Sequence, residues 1–203
     1  MFDAMDIDIW QVIAAASTKP FGFTPFYPGP GIGGDCIPVD PSYLIWKAKE
    51  KNAPVTMLTR ALEVNDEMTS YVAGKVIHAL SLDHIAAHGA NVLVLGAAFK
   101  KDVSDIRESS SLKVICALAK EGMQVSYHDP FIKQLCPSKS FPNMHLSSIQ
   151  WEGVELQSYD SVIILTDHSF YPWEKIGKES RRIVDTRGVM IPFTSFHPKV
   201  VMA

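Results

Sequence analysis

Residues 91–122, NVLVLGAAFKKDVSDIRESSSLKVICALAKEG, decide the fold. NVLVL is a continuous apolar run that stops at Gly96, and a polar loop, AAFKKDVSDIRESSS, follows it. Leu112, Ile115 and Ala119 then recur at helical spacing until Gly122 ends the pattern. Strand, loop and helix in that order open a βαβ unit. MQVSYH, from Met123, supplies the next strand, and Asp129-Pro130 terminates it. Ser161–Thr166 (SVIILT) and Arg181–Thr186 (RRIVDT) read as two further buried strands, with a short helix expected in SFYPWEKIGKES between them. Strands alternating with helices predict a Rossmann-like, doubly wound parallel sheet of the α/β class.

In such sheets ligands sit beyond the carboxyl ends of the strands. The residues there are Phe99, Lys100, Lys101, Asp105 and Arg107 after the first strand and Asp129 after the second. Thr166, Asp167 and His168 follow the third, and Asp185 and Arg187 the fourth. Arginine presents a fork that matches phosphate oxygens and lysine a compact charge, so the rim suits a phosphorylated ligand. Ordinary solvated loop charges explain the same pattern. Dinucleotide binding by the sheet is poorly supported, because Gly96 stands alone and no G-x-G-x-x-G follows the strand.

Upstream the pattern is helical. Val55, Leu58, Leu62, Asn65, Met68, Val72, Val76 and Leu80 recur every three or four residues after Pro54, which predicts a helix of about 30 residues ending near His88-Gly89. A shorter helix is expected over Ser42–Lys51. The division is therefore a helical domain over 1–88 and a sheet domain over 89–203. A helix that long either lies between domains or subunits or is a core helix with an exposed end. Asn65 on its apolar stripe is either a register device or a ligand contact. At the start, Met5, Ile9, Val12 and Ile13 are helically spaced without a Ser, Thr or Asn cap, so the chain reads as beginning inside a helix, as a piece of a longer protein would, with an ordinary short N-terminal helix as the alternative.

Between these helices lies PGPGIGGDCIPVDP, residues 28–41. Proline removes backbone donors and glycine raises the entropy lost on ordering, so the run predicts a shaped loop. Cys36 at its centre has Gly33, Gly34 and Asp35 before it and Asp40 four residues on; a reactive thiol and loop packing fit equally well. Cys116 reads as core, and Cys136 as incidental in a surface loop.

Composition excludes several classes. The chain has 203 residues, a net charge of -3 and 47% hydrophobic residues. It lacks the basic footprint of a nucleic-acid binder, no apolar run approaches the about 20 residues that span a bilayer, and the acidic N-terminus is unlike a signal peptide. A cytoplasmic location is expected. Three cysteines at wide spacing fit neither a disulfide framework nor a CxxC site, and the seven histidines show no paired metal-ligand spacing, so no metal is expected.

PGPGIGGDCIPVDP, VLGAAFKKDVSDIRESS and DTRG, in that order, resemble the UDP-glucose/GDP-mannose dehydrogenase family, and the resemblance covers nearly the whole chain. It implies oxidation of the C6 alcohol of a nucleotide sugar to a carboxylate with two NAD. It also implies the family's central helical domain, which forms a homodimer, and its UDP-sugar-binding domain, without the N-terminal NAD domain. By position, Cys36 resembles the catalytic nucleophile and Asp40 the carboxylate that assists proton transfer and water attack. Lys100, with Phe99 beside it, resembles the substrate-holding lysine, and Arg107 the arginine that reaches the NAD pyrophosphate. Arg187 resembles the arginine near the uridine diphosphate, although Gly188 stands where the family often has Asn. Phe26, Tyr27, Gly31 and Gly33 would line the sugar site. Asp35 replaces a residue that is often His, and a carboxylate beside a thiol disfavours thiolate. TKPFGFTPFYPGPG resembles the branch acting on UDP-N-acetylhexosamines, with UDP-N-acetylglucosamine first and UDP-N-acetylmannosamine or UDP-glucose next. The alternative is a non-catalytic UDP-sugar-binding and dimerising module. On either reading the 203 residues alone are expected to show no turnover.

Overall fold

The computed structural model describes residues 1–137 and 144–203. Helix α1 spans Ile9–Ala16, α2 Cys36–Glu50 and α3 Thr56–Leu82. Strand β1 (Asn91–Leu95), helix α4 (Ser110–Lys120) and strand β2 (Gln124–His128) form the expected βαβ unit. A two-stranded antiparallel ribbon follows, β3 (Gln134–Leu135) with β4 (Leu146–Ser147). Then come β5 (Ser161–Ile164), α5 (Trp173–Glu179), β6 (Ile183–Asp185) and β7 (Val200–Met202).

The main sheet is parallel throughout, in the order β2-β1-β5-β6-β7. From β1 the chain winds first to β2 on one side and then to β5 on the other. The switch point therefore lies between the carboxyl ends of β1 and β5, where a doubly wound sheet leaves a crevice. Alternation of strand side chains explains the two-sided core. Val92 and Val94 of β1 and Ile163 of β5 face a cluster with Val72, Val76 and Leu80 of α3 and Ile115 and Leu118 of α4. Leu93, Leu95, Val162 and Ile164 face the other way, onto Leu156, Tyr171, Ile176 of α5 and Met190. Strands buried on both faces read as unbroken apolar runs, which is why β1 and β5 were legible.

Four sequence expectations are corrected. Helix α2 begins at Cys36, not Ser42, so the irregular segment ends at Asp35. Pro38 lies in the first turn, where backbone N–H groups have no intrahelical acceptor, and only Pro41 forgoes a helical hydrogen bond. Helix α3 ends at Leu82 rather than near Gly89: Ile85 N–H donates to the Leu80 carbonyl (3.0 Å) and His84 N–H to that of Ser81 (3.0 Å), a closing motif with left-handed His84 (φ 58°) in the usual glycine position. Its 27 residues make about 40 Å. Met5 belongs to a short 3₁₀ turn and α1 has a cap, because the Asp8 carboxylate accepts from Trp10 N–H at 2.9 Å. The fifth strand, β7, was not anticipated. Three residues after Pro198 are too short a run to show a period, and β7 is ordered by pairing with β6 at the sheet edge.

The C-terminal half of α3 covers the sheet, while its N-terminal half is largely bare, with Met57 85% and Val64 44% exposed. Asp83, at its end, is joined to Arg182 before β6 by a two-pronged ion pair, one arm of which is 2.8 Å. Among the described residues no helix is long and apolar enough to cross a membrane.

Candidate active site

The segment from Pro28 to Asp35 is folded down onto the carboxyl-end rim of the sheet. A side chain at Gly33 would place its Cβ 2.7 Å from Phe99 Cβ and 2.8 Å from the Glu108 carbonyl oxygen, so only a glycine permits this approach. Gly34 lies against the Phe99 ring, and its N–H donates to the Arg107 carbonyl at 3.0 Å. Gly31, at φ 122°, faces Ser110, and Gly29 faces the Arg187 guanidinium.

Asn65 of α3 fixes the middle of the segment. Its Oδ1 accepts from Ile32 N–H at 2.7 Å, its Nδ2 donates to the Ile32 carbonyl at 3.4 Å, and Ser110 Oγ donates to the same carbonyl at 3.2 Å. Asn65 thus ties the helical part to the loop backbone, as a register device would.

This docking delivers Cys36 to the rim as the first residue of α2, with its thiol exposed. Two carboxylates stand near it. Asp40 is one helical turn on and exposed, on the same face as Cys36 because residues four apart align. Asp35 is paired with Arg107, whose guanidinium also donates to Asp105 at 2.7 and 3.0 Å. The hydrogen bonds to Asp105 and the charges of Asp105 and Asp35 raise the Arg107 guanidinium above its ordinary value and hold Asp105 below the usual carboxylate range. The negative charge that the sequence places beside the thiol is therefore matched by a cation from the β1–α4 loop.

Lys100 is exposed and makes no ion pair or side-chain hydrogen bond among the described residues, whereas Lys101 is 3.8 Å from Asp167. Arg187 is half-buried. Its Nε donates to the Leu165 carbonyl at 2.8 Å, which aims the guanidinium at the rim, and burial lowers its basicity. Asp185 accepts from the N–H groups of Arg187 (2.8 Å), Gly188 (2.9 Å) and Met190 (2.8 Å), folding the DTRG turn. Burial raises the Asp185 carboxyl despite those donors. The indole of Trp10 lies over Gly188 and stacks on Tyr27 at 5.7 Å. A side chain at position 188 would collide with that indole, which accounts for glycine there.

Cys36, Gly31, Gly33, Phe99, Lys100, Arg107 and Arg187 thus come together on one rim, and Tyr27 joins them through Trp10. Phe26 is 83% exposed, and its ring stacks on no other ring among the described residues. Sequence reasoning singled out Asn65 but not its partner Ile32, and missed the second tie from Ser110 and the packing of Trp10. Cys116 is half-buried against the core, where burial pushes its thiol up, and Cys136 is exposed.

Two positions of the sheet where a dinucleotide-binding fold meets its ligand are engaged within the protein. Gly96, at φ 87°, is closed against Thr166, whose backbone nitrogen and oxygen would both lie 2.7 Å from an added Cβ. Asp129, at the end of β2 where an acidic residue would meet a ribose, has both oxygens occupied by backbone and His168 donors.

Known proteins place this arrangement. The chain is 31% identical over 200 residues to the UDP-N-acetyl-D-mannosamine dehydrogenase of Methanococcus vannielii, covering 93% of this chain and 42% of that protein. It is 32% identical to the UDP-N-acetyl-D-glucosamine 6-dehydrogenase of Pseudomonas aeruginosa, covering 90% and 41%. The chain spans about two fifths of the length of these curated relatives. Its structure resembles the solved UDP-D-ManNAc dehydrogenase of Pyrococcus horikoshii with a TM-score of 0.72 and 28% identity, over 89% of this chain and 40% of that one. Residues 1–67 match the central domain of the UDP-glucose/GDP-mannose dehydrogenase family, and residues 93–192 match its UDP binding domain. A central-domain match carrying Cys36 and a UDP-binding match carrying Lys100 and Arg187, joined by α3 in the family's order, mean that the chain belongs to the UDP-glucose/GDP-mannose dehydrogenase family.

Proposed function

We propose that the chain is the nucleophile-bearing and nucleotide-sugar-binding part of an NAD-dependent 6-dehydrogenase acting on a UDP-N-acetylhexosamine, with UDP-N-acetylglucosamine the first candidate. One observation carries the reading: Gly33 and Gly34 close onto Phe99, which sets Cys36 beside the cationic rim at the sheet's switch point.

In this mechanism Lys100 and Arg187 hold the diphosphate and sugar, and Cys36 works on C6. When the alcohol has become an aldehyde, the Cys36 sulfur adds to its carbon, forming a carbon–sulfur bond and a thiohemiacetal. The Cys36 and Ile37 N–H groups lie at the positive end of α2, where the developing oxyanion is favoured. Oxidation of the adduct gives a thioester. Water then attacks it with its proton passing to Asp40, the carbon–sulfur bond breaks, and the products are a carboxylate and free Cys36. NAD, when bound, accepts one hydride at each oxidation. On this chain only Arg107 is assigned to it, and its release from Asp105 and Asp35 would be required. The closed Gly96 turn supports the expectation that the 203 residues alone form no NADH.

Two further assignments belong to the reading. The bare half of α3 and the exposed Tyr43, Leu44 and Trp46 of α2 suit a homodimer interface, and a cytoplasmic location is part of the same proposal. The test of the nucleophile is alkylation of the purified chain by iodoacetamide, read by mass spectrometry. UDP-N-acetylglucosamine should slow modification of Cys36 and leave that of exposed Cys136 unchanged. Equal protection of both, or of neither, removes Cys36 from the sugar site.

A further inference from the structure

A buried pair of side chains, Asp129 and His168, lies behind the rim and touches none of the residues assigned to the reaction. Both side chains are fully shielded from solvent. Asp129 Oδ2 accepts from Ala97 N–H at 2.7 Å, from Ala98 N–H at 3.0 Å and from His168 Nε2 at 3.0 Å. Its Oδ1 accepts from Phe131 N–H at 2.8 Å and Ile132 N–H at 3.0 Å. His168 Nδ1 accepts from Asp102 N–H at 2.9 Å, so the imidazole proton resides on Nε2, where it faces the Asp129 carboxylate. Burial opposes ionisation of Asp129, but these donors outweigh it and hold the carboxyl below its ordinary value. Rings of Phe131 and Tyr171, 5.1 and 6.0 Å away, fix the imidazole plane.

The consequence is geometric. Ala97 and Ala98 are held at one end of the β1–α4 hairpin by Asp129, Asp102 is held at the other by His168, and the two holders are bonded to each other. Asp102 is pinned a second time, because its carboxylate accepts from Ser169 N–H at 2.8 Å and Ser169 Oγ at 2.7 Å while its own backbone sits at φ 56°. Between the two clamps lie only Phe99, Lys100 and Lys101. A loop of that length with both ends fixed has little freedom, and its ordering is completed before any ligand arrives.

We propose that Asp129 and His168 are a positioning pair that sets the 97–102 hairpin, and through it the place of Phe99 and Lys100 at the nucleotide-sugar site. The pair touches no substrate; it acts through the loop backbone. The inference rests on the assignment of Lys100 to substrate, and the clamp can be tested apart from that assignment.

The experiment compares His168→Ala, His168→Gln and His168→Asn in the purified chain. Amide resonances of residues 97–102 are recorded by NMR, and UDP affinity is measured by calorimetry. Glutamine can reproduce the Nε2 donor to Asp129, and asparagine the Nδ1 acceptor for Asp102. Glutamine should therefore restore the Ala97 and Ala98 resonances and asparagine that of Asp102, while alanine disturbs both ends and weakens UDP binding about tenfold, worth about 1.4 kcal/mol. If alanine unfolds the chain, the opposite signatures of the other two variants still decide. Wild-type resonances over 97–102 in the alanine variant, or the same disturbance in glutamine and asparagine, overturns the pair. The expected pattern of resonances across the three variants, with no UDP binding by the wild-type chain, would instead remove Lys100 from the substrate site and leave the clamp standing.

Discussion

Gly33→Ala is the most informative perturbation of the loop. The backbone at Gly33 is not in the left-handed region, so an alanine there costs nothing in conformation and the effect is steric. Its Cβ would lie 2.7 Å from Phe99 Cβ and 2.8 Å from the Glu108 carbonyl oxygen, against an ordinary contact of at least 3.4 Å. Neither neighbour is the end of a flexible chain; one is attached to the backbone and the other belongs to it. The loop must therefore lift by about 0.7 Å, and overpacking of this kind costs about 1–3 kcal/mol. Three residues later the displacement reaches Cys36. The chain should unfold at lower urea, with an unchanged m-value, and the dissociation constant for UDP should rise because Phe99 and Lys100 are pushed with the loop. A misplacement approaching 1 Å is worth about a hundredfold in a reaction, so in a complete enzyme kcat should fall far more than stability does. A variant with wild-type urea midpoint and UDP affinity would refute the close docking of Gly33 on the rim.

Two other outcomes follow from the packing. Asp83→Ala removes the partly buried ion pair that ties the end of α3 to the start of β6, and should lower stability by about 1 kcal/mol, seen as a fall of about 2–4 °C in Tm. The pH dependence has a definite sign: Asp129 is held below its ordinary value, so its contribution is present above about pH 4 and disappears as pH falls through the depressed folded value. Asp129→Asn should flatten the loss of urea stability between pH 5 and 3 on this account, and an unchanged slope would assign the acid sensitivity elsewhere. Asp185, raised by burial, works in the opposite sense and gains stability as pH falls.

How much was legible in the sequence depends on where the information was local. Strands β1 and β5 announced themselves because both faces are buried, and α4 because a single apolar stripe meets the sheet. Helix α2 was misjudged because two prolines look prohibitive until Pro38 is placed in the first turn, where its missing N–H has no acceptor to lose. The end of α3 was misjudged because His84 occupies a left-handed position that the sequence would assign to glycine, and Gly89 instead turns the chain into β1. Strand β7 carries no period of its own. At the rim, Cys36, Lys100 and Arg187 were found through motifs, but the contacts that assemble them join residues far apart in the chain. Asn65 with Ile32, Gly29 with Arg187 and Asp35 with Arg107 show no spacing signal, because each pairing depends on where α3 lies across the sheet.

The proposed function requires first of all that this rim bind the diphosphate of a UDP-sugar. Calorimetric titration of the purified chain with UDP, beside Lys100→Ala and Arg187→Ala, measures that binding. One site per chain is expected, weakened at least tenfold in each variant while the folded structure is kept. Binding that both variants retain at full strength would contradict it.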